Sequence, residues 1–235
     1  MTLKQRYVGA VRLIRRAAES TGALDWLDRH RETRGLLYLR SLFSIYDAED
    51  MARIDVPWWT FAAAAWVERF LADRPGSVAL EYGSGASTVW LARRCARVHS
   101  IEHDPAWGDA VARLVAPYPN VSLTVVPPDP LPPGGSRHRS RKAGWRNLCF
   151  ERYVRAIDAV PGCFDLVVID GRCREACLEA ALPRLAAGGA VVFDNTLRPR
   201  YRRALATCGL RARVFTGLAP GLPYPDQTTI LGGPA

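Results

Sequence analysis

Val78-Ala-Leu-Glu-Tyr-Gly-Ser-Gly-Ala-Ser-Thr88 is the stretch of this sequence that decides the fold. Its apolar run ends in an acidic residue and passes into a glycine pair, which predicts a strand, a tight turn and a helix that begins at Ala86. Gly83 and Gly85 can adopt backbone angles closed to other residues, and their missing side chains let a ligand lie against the main chain. The first N–H groups of the helix would point at that ligand. Three hydroxyl groups add further donors at this turn: those of Ser84, Ser87 and Thr88.

The residues that this turn lacks, and the acids around it, narrow the class of ligand. It has no Gly-Lys-Ser/Thr ending of a phosphate-binding loop, and Thr88 stands where a dinucleotide fingerprint needs its third glycine. Glu81 precedes Gly83 closely and suits a cationic amino group better than a pyrophosphate. A second predicted strand, 97–102, ends in Glu102, at the roughly 20-residue spacing expected of an acid that binds a ribose. A ligand with an amino acid at one end and a ribose at the other is S-adenosylmethionine.

Four motifs, taken in order, resemble those of the class I S-adenosylmethionine-dependent methyltransferases. They are LEYGSGAST at 80–88, SIEHDPAW at 100–107, FDLVVIDG at 164–171 and LPRLAAGGAVVFDNT at 182–196. The resemblance spans the region from about Val78 to Leu231, roughly two thirds of the chain. It implies an α/β fold of the Rossmann-like, doubly wound kind, with a seven-stranded sheet that is mostly parallel and whose last strand is antiparallel. It also implies S-adenosylmethionine as the cofactor.

Alternating strand and helix patterns after residue 75 independently favour a parallel sheet covered on both faces. The predicted strands are 78–82, 97–102, 121–126, 164–170, 189–194, 210–215 and 227–231, and the predicted helices between them are 86–95, 105–116, 150–160, 173–186 and 199–207. Residues 1–75 are interpreted as an N-terminal helical cap and residues 76–235 as the cofactor-binding domain. Ligands of such sheets bind beyond the carboxyl ends of the strands. Four acids end predicted strands at that edge: Glu81, Glu102, Asp170 and Asp194.

Residues 127–149 interrupt the alternation with a proline-rich start followed by basic residues. Their composition does not suit a core element, so the segment is either a solvated loop or a lid that closes over substrate and brings positive charge. Near it, the resemblance places His103 beside the adenine, and Asp129 is a candidate partner of the adenine amino group. The predicted cofactor-binding residues are therefore Glu81, Gly83, Ser84, Gly85, Ser87, Thr88, Glu102, His103, Asp129 and Asp170.

Asp170 and the pair Asp194-Asn195 end neighbouring predicted strands and offer three oxygen ligands of the kind that Mg²⁺ prefers. A metal held there would orient a substrate hydroxyl and lower its pKa. The arrangement resembles the metal site of the catechol and related metal-dependent O-methyltransferases, including those that act on sugars of natural products. Asp170, Asp194 and Asn195 match that site residue by residue. Two alternatives need no metal: Asp194-Asn195-Thr196 could cap the next helix, and Asp170 could hold the cofactor or the substrate.

The sequence departs from the catechol enzymes at the general base. Where those enzymes have a lysine after the first aspartate, this chain has Gly171-Arg172-Cys173-Arg174. Asp170 itself, His138 and Lys142 are therefore the predicted catalytic residues, because each can hold a proton beside a substrate hydroxyl. His103 is a further candidate for the same role.

Composition limits the location and the partners of the protein. No segment approaches the roughly 18 apolar residues of a membrane span, and the first residues lack a secretory signal, which together predict a cytoplasmic protein. The six cysteines form no CxxC pair, so a zinc knuckle or a thioredoxin-type site is not indicated. The formal net charge is +9, and all but two of the 32 basic residues are arginine. Such a charge is typical of a protein that binds an acidic substrate or RNA, and it also arises from a coding bias towards arginine.

Three functions remain open on these features. The leading hypothesis is an enzyme that O-methylates a hydroxyl on a small molecule or a sugar-bearing natural product, acidic or not, with optional help from a divalent metal. An RNA methyltransferase is the alternative, favoured by the basic run at 137–142, although no RNA-recognition module accompanies it. The third is a methyltransferase fold that only binds its ligand, against which the intact Glu81 and Glu102 argue. A homodimer formed through the N-terminal helices is an additional expectation.

Overall fold

The protein is organised around a seven-stranded sheet. The structure is a computed structural model that describes residues 3–45 and 47–234, so residues 1, 2 and 46 of the predicted cap, and residue 235, lie outside the described part. The strands of the sheet are β1 (Val78–Tyr82), β2 (Arg97–Glu102), β3 (Val121–Val125), β6 (Phe164–Ile169), β7 (Leu185–Asp194), β8 (Ala212–Gly217) and β9 (Asp226–Gly232). Two short strands, β4 (Asp129–Pro130) and β5 (Leu148–Cys149), form a separate antiparallel pair.

The order of the strands is that of a Rossmann-like methyltransferase fold. They lie in the order β3-β2-β1-β6-β7-β9-β8, and β9 is antiparallel to both of its neighbours. The remaining neighbours pair in parallel. The predicted seven-stranded sheet with one antiparallel strand is therefore confirmed. The carboxyl ends of β1, β2, β6 and β7 meet at one edge, which is where ligands of such sheets bind.

Two strands, β7 and β8, differ from the prediction by more than one residue at a boundary. β7 begins at Leu185 rather than 189, because Leu185 pairs with Phe164 before the register shifts by a bulge. The bulge contains Gly188, whose φ of 72° is a conformation that a glycine adopts without strain. β8 begins at Ala212 rather than 210, because Leu210 packs against the core beneath the sheet instead of extending the strand.

Ten α-helices accompany the strands in the described part of the chain. They are α1 (Leu3–Ser20), α2 (Ala23–Arg29), α3 (Arg34–Leu42), α4 (Ala48–Arg53), α5 (Phe61–Ala72), α6 (Ala86–Ala92), α7 (Pro105–Val115), α8 (Glu151–Arg155), α9 (Arg174–Ala181) and α10 (Arg202–Thr207), with 3-10 turns at Ala156–Ala159, Leu182–Arg184 and Pro199–Tyr201. Within the described residues, every helix is too short or too polar to span a bilayer.

Successive side chains of a strand point to opposite sides of the sheet, and helices bury the side chains on both of its faces. Leu80 and Tyr82 of β1 pack on one face with Tyr153 of α8 and Leu178 of α9. Ala79 faces the other side, in a cluster that α5 and α6 cover. The sheet therefore has the helix layers on both faces that its sequence pattern predicts.

The N-terminal helices are held together by a buried ion pair. Arg40 of α3 is fully buried, and its Nη2 lies 2.7 Å from Asp50 Oδ1 on α4. Arg40 also donates to Asp28 at 2.8 Å and to Ser44 at 2.9 Å. α5 instead packs directly on the sheet. The division of the chain at residue 75 stays a prediction.

Candidate active site

A cavity of about 680 Å³ lies where the carboxyl ends of β1, β2, β6 and β7 meet. The predicted site residues that line it are Gly83, Ser84, Ser87, Glu102, His103, Lys142, Asp170, Asp194 and Asn195. Those that do not line it are Glu81, Gly85, Thr88, Asp129 and His138. The structure thus brings the predicted cofactor turn and the predicted metal ligands into one cavity.

The turn between β1 and α6 requires glycine at position 83 for two reasons. Gly83 has a φ of 96°, which side chains rarely tolerate, and a Cβ there would lie 2.7 Å from the backbone nitrogen of Gly171. The turns after β1 and β6 therefore pass each other at backbone contact distance. A Cβ at Gly171 would in turn collide with the Tyr153 hydroxyl. Gly83 and Gly171, at this close approach, both line the cavity.

Glu81 is buried behind the turn rather than in the cavity. Its carboxylate accepts hydrogen bonds from Ser87 Oγ at 2.5 Å, Thr88 Oγ1 at 2.5 Å and Ser100 Oγ at 2.7 Å. Burial raises the pKa of Glu81 to about 7, and the three hydroxyl donors only partly oppose that rise. Glu81 therefore fixes the start of α6 against β1 and β2, and its predicted contact with a cofactor stays a prediction.

Glu102 lies at the end of β2 with both carboxylate oxygens engaged. Oε2 accepts from the backbone N–H of Ser84 at 2.9 Å and from its hydroxyl at 3.0 Å. Oε1 accepts from the backbone N–H groups of His103 at 2.8 Å and Asp104 at 2.9 Å. Burial alone would raise the pKa of Glu102, but these donors and the neighbouring imidazole outweigh burial and hold the pKa below its usual range. Glu102 is accordingly an anion at the wall of the cavity.

Aromatic side chains surround His103 at the same end of the cavity. The imidazole packs edge-on to Trp145, with the ring centroids 5.0 Å apart, and to Tyr153 at 5.6 Å. His103 Nδ1 lies 2.7 Å from Glu102 Oε1. Trp107 Nε1 donates to the Ser84 carbonyl at 2.8 Å. An adenine-sized ring would find stacking partners here.

Arg174 occupies the space between the two carboxylates predicted to bind a metal. Its Nη2 donates to the carboxylate of Asp170 and, at 2.8 Å, to the Asp170 backbone carbonyl. Its Nη1 donates to the Asp194 backbone carbonyl and lies 4.0 Å from Asp194 Oδ2. Arg174 is 5% exposed, so this cation is part of the cavity wall. The sequence reasoning named Arg174 only as a departure from the catechol enzymes and did not foresee this role.

Burial is the main influence on the protonation of both carboxylates. It raises the pKa of Asp194 to about 8, with help from the charge of Asp170 and against the opposing effects of Arg174 and of a hydrogen bond from Thr228 at 2.8 Å. Burial also raises the pKa of Asp170, although the guanidinium of Arg174 opposes it most strongly. The Asp170 side chain keeps 21% of its surface exposed. Asp170 is thus the carboxylate of the pair that is open to the cavity.

The three predicted metal ligands do not fit Mg²⁺ as they stand. The guanidinium of Arg174 lies against Asp170 and beside Asp194, and a dication would have to share that space with an existing positive charge. Asn195, with a φ of 55°, donates its amide to Asp226 Oδ2 at 2.8 Å. In the part of the chain that the structure describes, no group of three or more His, Cys, Asp or Glu side chains is arranged to hold a metal. The predicted metal site is therefore not supported.

The 127–149 segment is folded rather than free. Asp129 on β4 pairs with Cys149 on β5, and its carboxylate accepts from Arg152 at 3.0 Å. His138 is buried, with its backbone carbonyl accepting from the Phe150 N–H at 2.9 Å. Lys142 is the predicted catalytic residue of this segment that does line the cavity. The predicted roles of Asp129 at the adenine and of His138 as a base stay predictions, and both side chains lie away from the cavity wall.

The wall opposite the sheet comes from both ends of the chain. Ile45, which follows α3, and Trp58, which precedes α5, line the cavity together with Leu222 from the turn between β8 and β9. That turn is tied to α3, because Tyr38 Oη donates to the Leu222 carbonyl at 3.0 Å and the Gly221 N–H donates to Ser41 Oγ at 3.1 Å. The N-terminal helices therefore help to shape the cavity.

Three further arginines line the cavity and were missed by the sequence reasoning: Arg172, Arg198 and Arg200. Arg172 follows β6 directly, and the other two follow β7. All three follow strands that end in predicted site acids. Because the carboxyl ends of parallel strands share one edge, this position could have predicted that the three arginines line the site.

Comparison with known proteins agrees with this geometry. Residues 80–196 match the sequence profile of a family described as "Methyltransferase domain". No curated protein sequence matches the chain significantly. The matched residues 80–196 are just under half of the chain, and together with the strand order they show the fold of an S-adenosylmethionine-dependent methyltransferase.

Two solved structures illustrate the likeness in fold. A precorrin 8w decarboxylase of Methanobacterium thermoautotrophicum is 17% identical, with 75% of this chain and 93% of that chain covered and a TM-score of 0.53. A precorrin-6y C5,15-methyltransferase of Geobacter metallireducens GS-15 is 18% identical, with 73% and 87% covered and a TM-score of 0.51. Likeness at this level of identity concerns the fold alone.

Proposed function

We propose that the protein transfers the methyl group of S-adenosylmethionine to a hydroxyl oxygen of a small molecule or a sugar-bearing natural product. The observation that carries the proposal is one cavity lined both by the glycine turn with Glu102 and by the carboxylate of Asp170. The glycine turn and Glu102 suit the binding of the cofactor. The carboxylate of Asp170 suits an acceptor hydroxyl that must lose its proton. A methyltransferase that acts on oxygen needs both in one place.

The residues present fit the cofactor. The anionic carboxylate of Glu102 suits ribose hydroxyls, the aromatic rings around His103 suit the adenine, and the Gly83 turn suits a close approach of the amino-acid end. S-adenosylmethionine, when bound, supplies an electrophilic methyl group on its sulfonium. The remaining tasks of the protein are to hold the acceptor in line with that group and to take up the proton.

We assign the proton to Asp170. Its carboxylate is open to the cavity, and its raised pKa makes it a stronger base than an ordinary aspartate. Arg174 holds the carboxylate in place through its contacts to both the side chain and the backbone carbonyl of Asp170. The positive charge that a metal would bring to this point is supplied by the guanidinium of Arg174. The proposal therefore contains no metal step.

Cofactor binding and methyl transfer are tested separately. Calorimetric titration of S-adenosylhomocysteine into wild-type protein is expected to show binding, at least tenfold weaker in Glu102→Gln and unchanged in the exposed control Glu32→Gln. Transfer from ¹³C-methyl S-adenosylmethionine to a panel of hydroxylated acceptors is expected to be lost in Asp170→Asn and kept in Asp73→Asn. The ¹³C shift of the product identifies the acceptor atom. An N-methyl product would contradict the assignment to oxygen, and cofactor binding without turnover on any acceptor would favour a binding subunit.

A further inference from the structure

We propose that the methyl acceptor carries a doubly charged oxyanion, of which a phosphate ester is the common biological form, and that Arg172, Arg198 and Arg200 bind it. This inference deepens the proposed function and rests on it, because it concerns the acceptor that enters the same cavity.

The three arginines line one cavity from two different turns. Arg172 lies in the turn between β6 and α9, and Arg198 and Arg200 lie in the turn between β7 and α10. Lys142 approaches from the 127–149 segment and lines the same cavity. Arg172, Arg200 and Lys142 also line a small adjoining cleft of about 50 Å³, so they lie close together. Three further arginines and one acidic residue line that cleft: Arg139, Arg141, Arg174 and Glu175.

The three arginines have no carboxylate partner of their own. Among residues 3–45 and 47–234, ion pairs within 4.0 Å neutralise buried and exposed arginines alike, such as Arg40 and Arg53, but none involves Arg172, Arg198 or Arg200. Arg172 Nε has only the imidazole of His103 at 3.4 Å. Arg200 Nη2 donates to the Tyr201 hydroxyl at 2.7 Å. Neither contact brings a carboxylate to the guanidinium of Arg172 or Arg200.

The acids of the cavity are committed elsewhere and cannot supply that balance. Glu102 accepts from backbone N–H groups and from Ser84, and Asp104 caps the start of α7 through the Ala106 N–H at 3.1 Å. Asp170 is held by Arg174, and the buried carboxyl group of Asp194 accepts a hydrogen bond from Thr228 at 2.8 Å. A cavity lined by unbalanced guanidinium groups favours an anionic ligand.

Partial burial of Arg172 strengthens the preference for an anion. Arg172 is half-buried, which means that its charge is held in a poorly solvated place. An incoming oxyanion would relieve that penalty through charge-assisted hydrogen bonds, and guanidinium groups match the oxygens of phosphate two at a time. A single carboxylate would balance only one of three such charges. The arrangement therefore selects a dianion over a monoanion.

A small phosphorylated molecule fits the position of these arginines better than RNA does. They line a cavity of about 680 Å³, within the roughly 300–1,000 Å³ range of small-molecule sites. Trp58 and Leu222 line that same cavity from the N-terminal side. Arg172 lies two residues after Asp170 and lines the same cavity, so an oxyanion bound to Arg172 would lie beside the proposed base. The anion would thus steer the acceptor hydroxyl towards Asp170.

Inorganic phosphate is the probe for this site. It is titrated by calorimetry at constant ionic strength into wild-type protein with and without saturating S-adenosylhomocysteine, and acetate is titrated in parallel. Arg198→Ala and Arg200→Ala are compared with Arg97→Ala, an exposed residue at the opposite edge of the sheet. We expect phosphate to bind at least tenfold more tightly than acetate, and each cavity variant to weaken phosphate binding at least tenfold. Arg97→Ala is expected to change it less than twofold.

Each result decides for or against the oxyanion site. Equal binding of phosphate and acetate, or an equal loss in Arg97→Ala, would overturn it, because either result indicates general attraction to a basic protein. A short single-stranded RNA that binds through Arg97 as much as through Arg198 would overturn it in favour of the RNA alternative. Phosphate binding in protein that fails to bind S-adenosylhomocysteine would leave the oxyanion site in place while contradicting the proposed methyl transfer. Thermal unfolding of each variant confirms that the loss is not a loss of fold.

Discussion

Arg174 is bonded twice to Asp170: one guanidinium nitrogen donates both to the carboxylate and to the backbone carbonyl of the same residue. The other terminal nitrogen donates to the backbone carbonyl of Asp194. One side chain therefore ties the ends of β6 and β7 together at the edge where the cavity forms. Arg174 is buried, and its guanidinium also forms an ion pair with the carboxylate of Asp170.

Removing that tie is expected to destabilise the fold. Arg174→Met keeps most of the length of the side chain but leaves the half-buried carboxylate of Asp170 and the buried carboxyl group of Asp194 without their cation. Breaking a buried ion pair by removing one partner costs about 3–5 kcal/mol. Urea unfolding at pH 7 measures the change, with the exposed Arg211→Met as control. A loss below about 1 kcal/mol would show that the guanidinium acts like a surface charge.

Metal removal is expected to leave methyl transfer unchanged. Dialysis against a chelator should alter neither the binding of S-adenosylhomocysteine nor the rate with any acceptor that the screen identifies, because Arg174 already supplies a cation beside Asp170. The measurement is a rate comparison before and after chelation, followed by addition of Mg²⁺. A loss of more than tenfold that Mg²⁺ restores would contradict the prediction and reinstate the sequence-based metal site.

Glu81 is expected to make stability fall as the pH rises towards neutrality. Its folded pKa of about 7 lies above the unfolded value of about 4.3, so the folded protein binds a proton more tightly than the unfolded chain does. The contribution is fully present below pH ~4.3 and is lost as the pH rises through about 7. Its full size is on the order of 3 kcal/mol.

The pH dependence of Glu81→Gln tests this assignment. Urea midpoints of wild-type and variant protein are compared at intervals between pH 4.5 and pH 8. We expect the variant to lack the decline seen in the wild type, so that the difference between the two proteins changes across that window. Parallel curves would show that the Glu81 carboxylate remains ionised despite its burial.

Gly83→Ala is expected to be more damaging than its backbone angle alone explains. Gly209 also has a positive φ, 74°, but a Cβ there would meet nothing within 4 Å, whereas a Cβ at Gly83 would meet the Gly171 backbone. The positive φ costs about 1–2 kcal/mol in either case. Gly83→Ala should exceed Gly209→Ala in lost unfolding free energy and should weaken S-adenosylhomocysteine binding, which Gly209→Ala should not. Equal losses would mean that the turns after β1 and β6 can separate freely.

Asp50 is expected to stabilise the N-terminal helices above pH ~4 and to lose that effect in acid. Burial alone would raise its pKa, but Arg40, Ser44 and Arg53 hold the pKa far below its usual range. A carboxylate with a depressed folded pKa contributes stability above the unfolded pKa and loses it as the pH falls through the folded value. Asp50→Asn should therefore be less stable than wild type by about 3–5 kcal/mol at pH 7.

The acid limb of the unfolding curve checks the same residue. Between pH 5 and pH 2 the difference between wild type and Asp50→Asn should shrink, whereas the exposed control Asp73→Asn should follow the wild type throughout. A difference that stays constant down to pH 2 would indicate that Asp50 contributes packing rather than charge.

The sheet could be predicted from the sequence because strand and helix periodicity are local signals. All seven strands were anticipated, and the errors fall where local pattern competes with packing, as at Leu185, which pairs across a glycine bulge. The turn between β1 and α6 followed from its glycines, and the end of β2 followed from the acid at Glu102. Each of these features depends on residues that are close together in the chain.

The chemistry of the site was harder to anticipate because it depends on which side chain fills a shared space. Asp170 and Asp194 were identified as neighbours, but the sequence could not reveal that Arg174 lies between them rather than a metal. At Glu81 the sequence suggested a ligand contact but could not reveal the three hydroxyl groups that donate to its carboxylate inside the protein. Side-chain direction, unlike strand order, is decided by contacts made across the fold.

The wall formed by Ile45, Trp58 and Leu222 has a consequence for how acceptor preference can diverge. All three lie outside residues 80–196, the span that matches the methyltransferase family. Relatives that share the cofactor machinery can therefore differ in this wall without disturbing the glycine turn or Glu102. Grafting the segments around Ile45, Trp58 and Leu222 between such relatives offers a direct route to exchanging their acceptors.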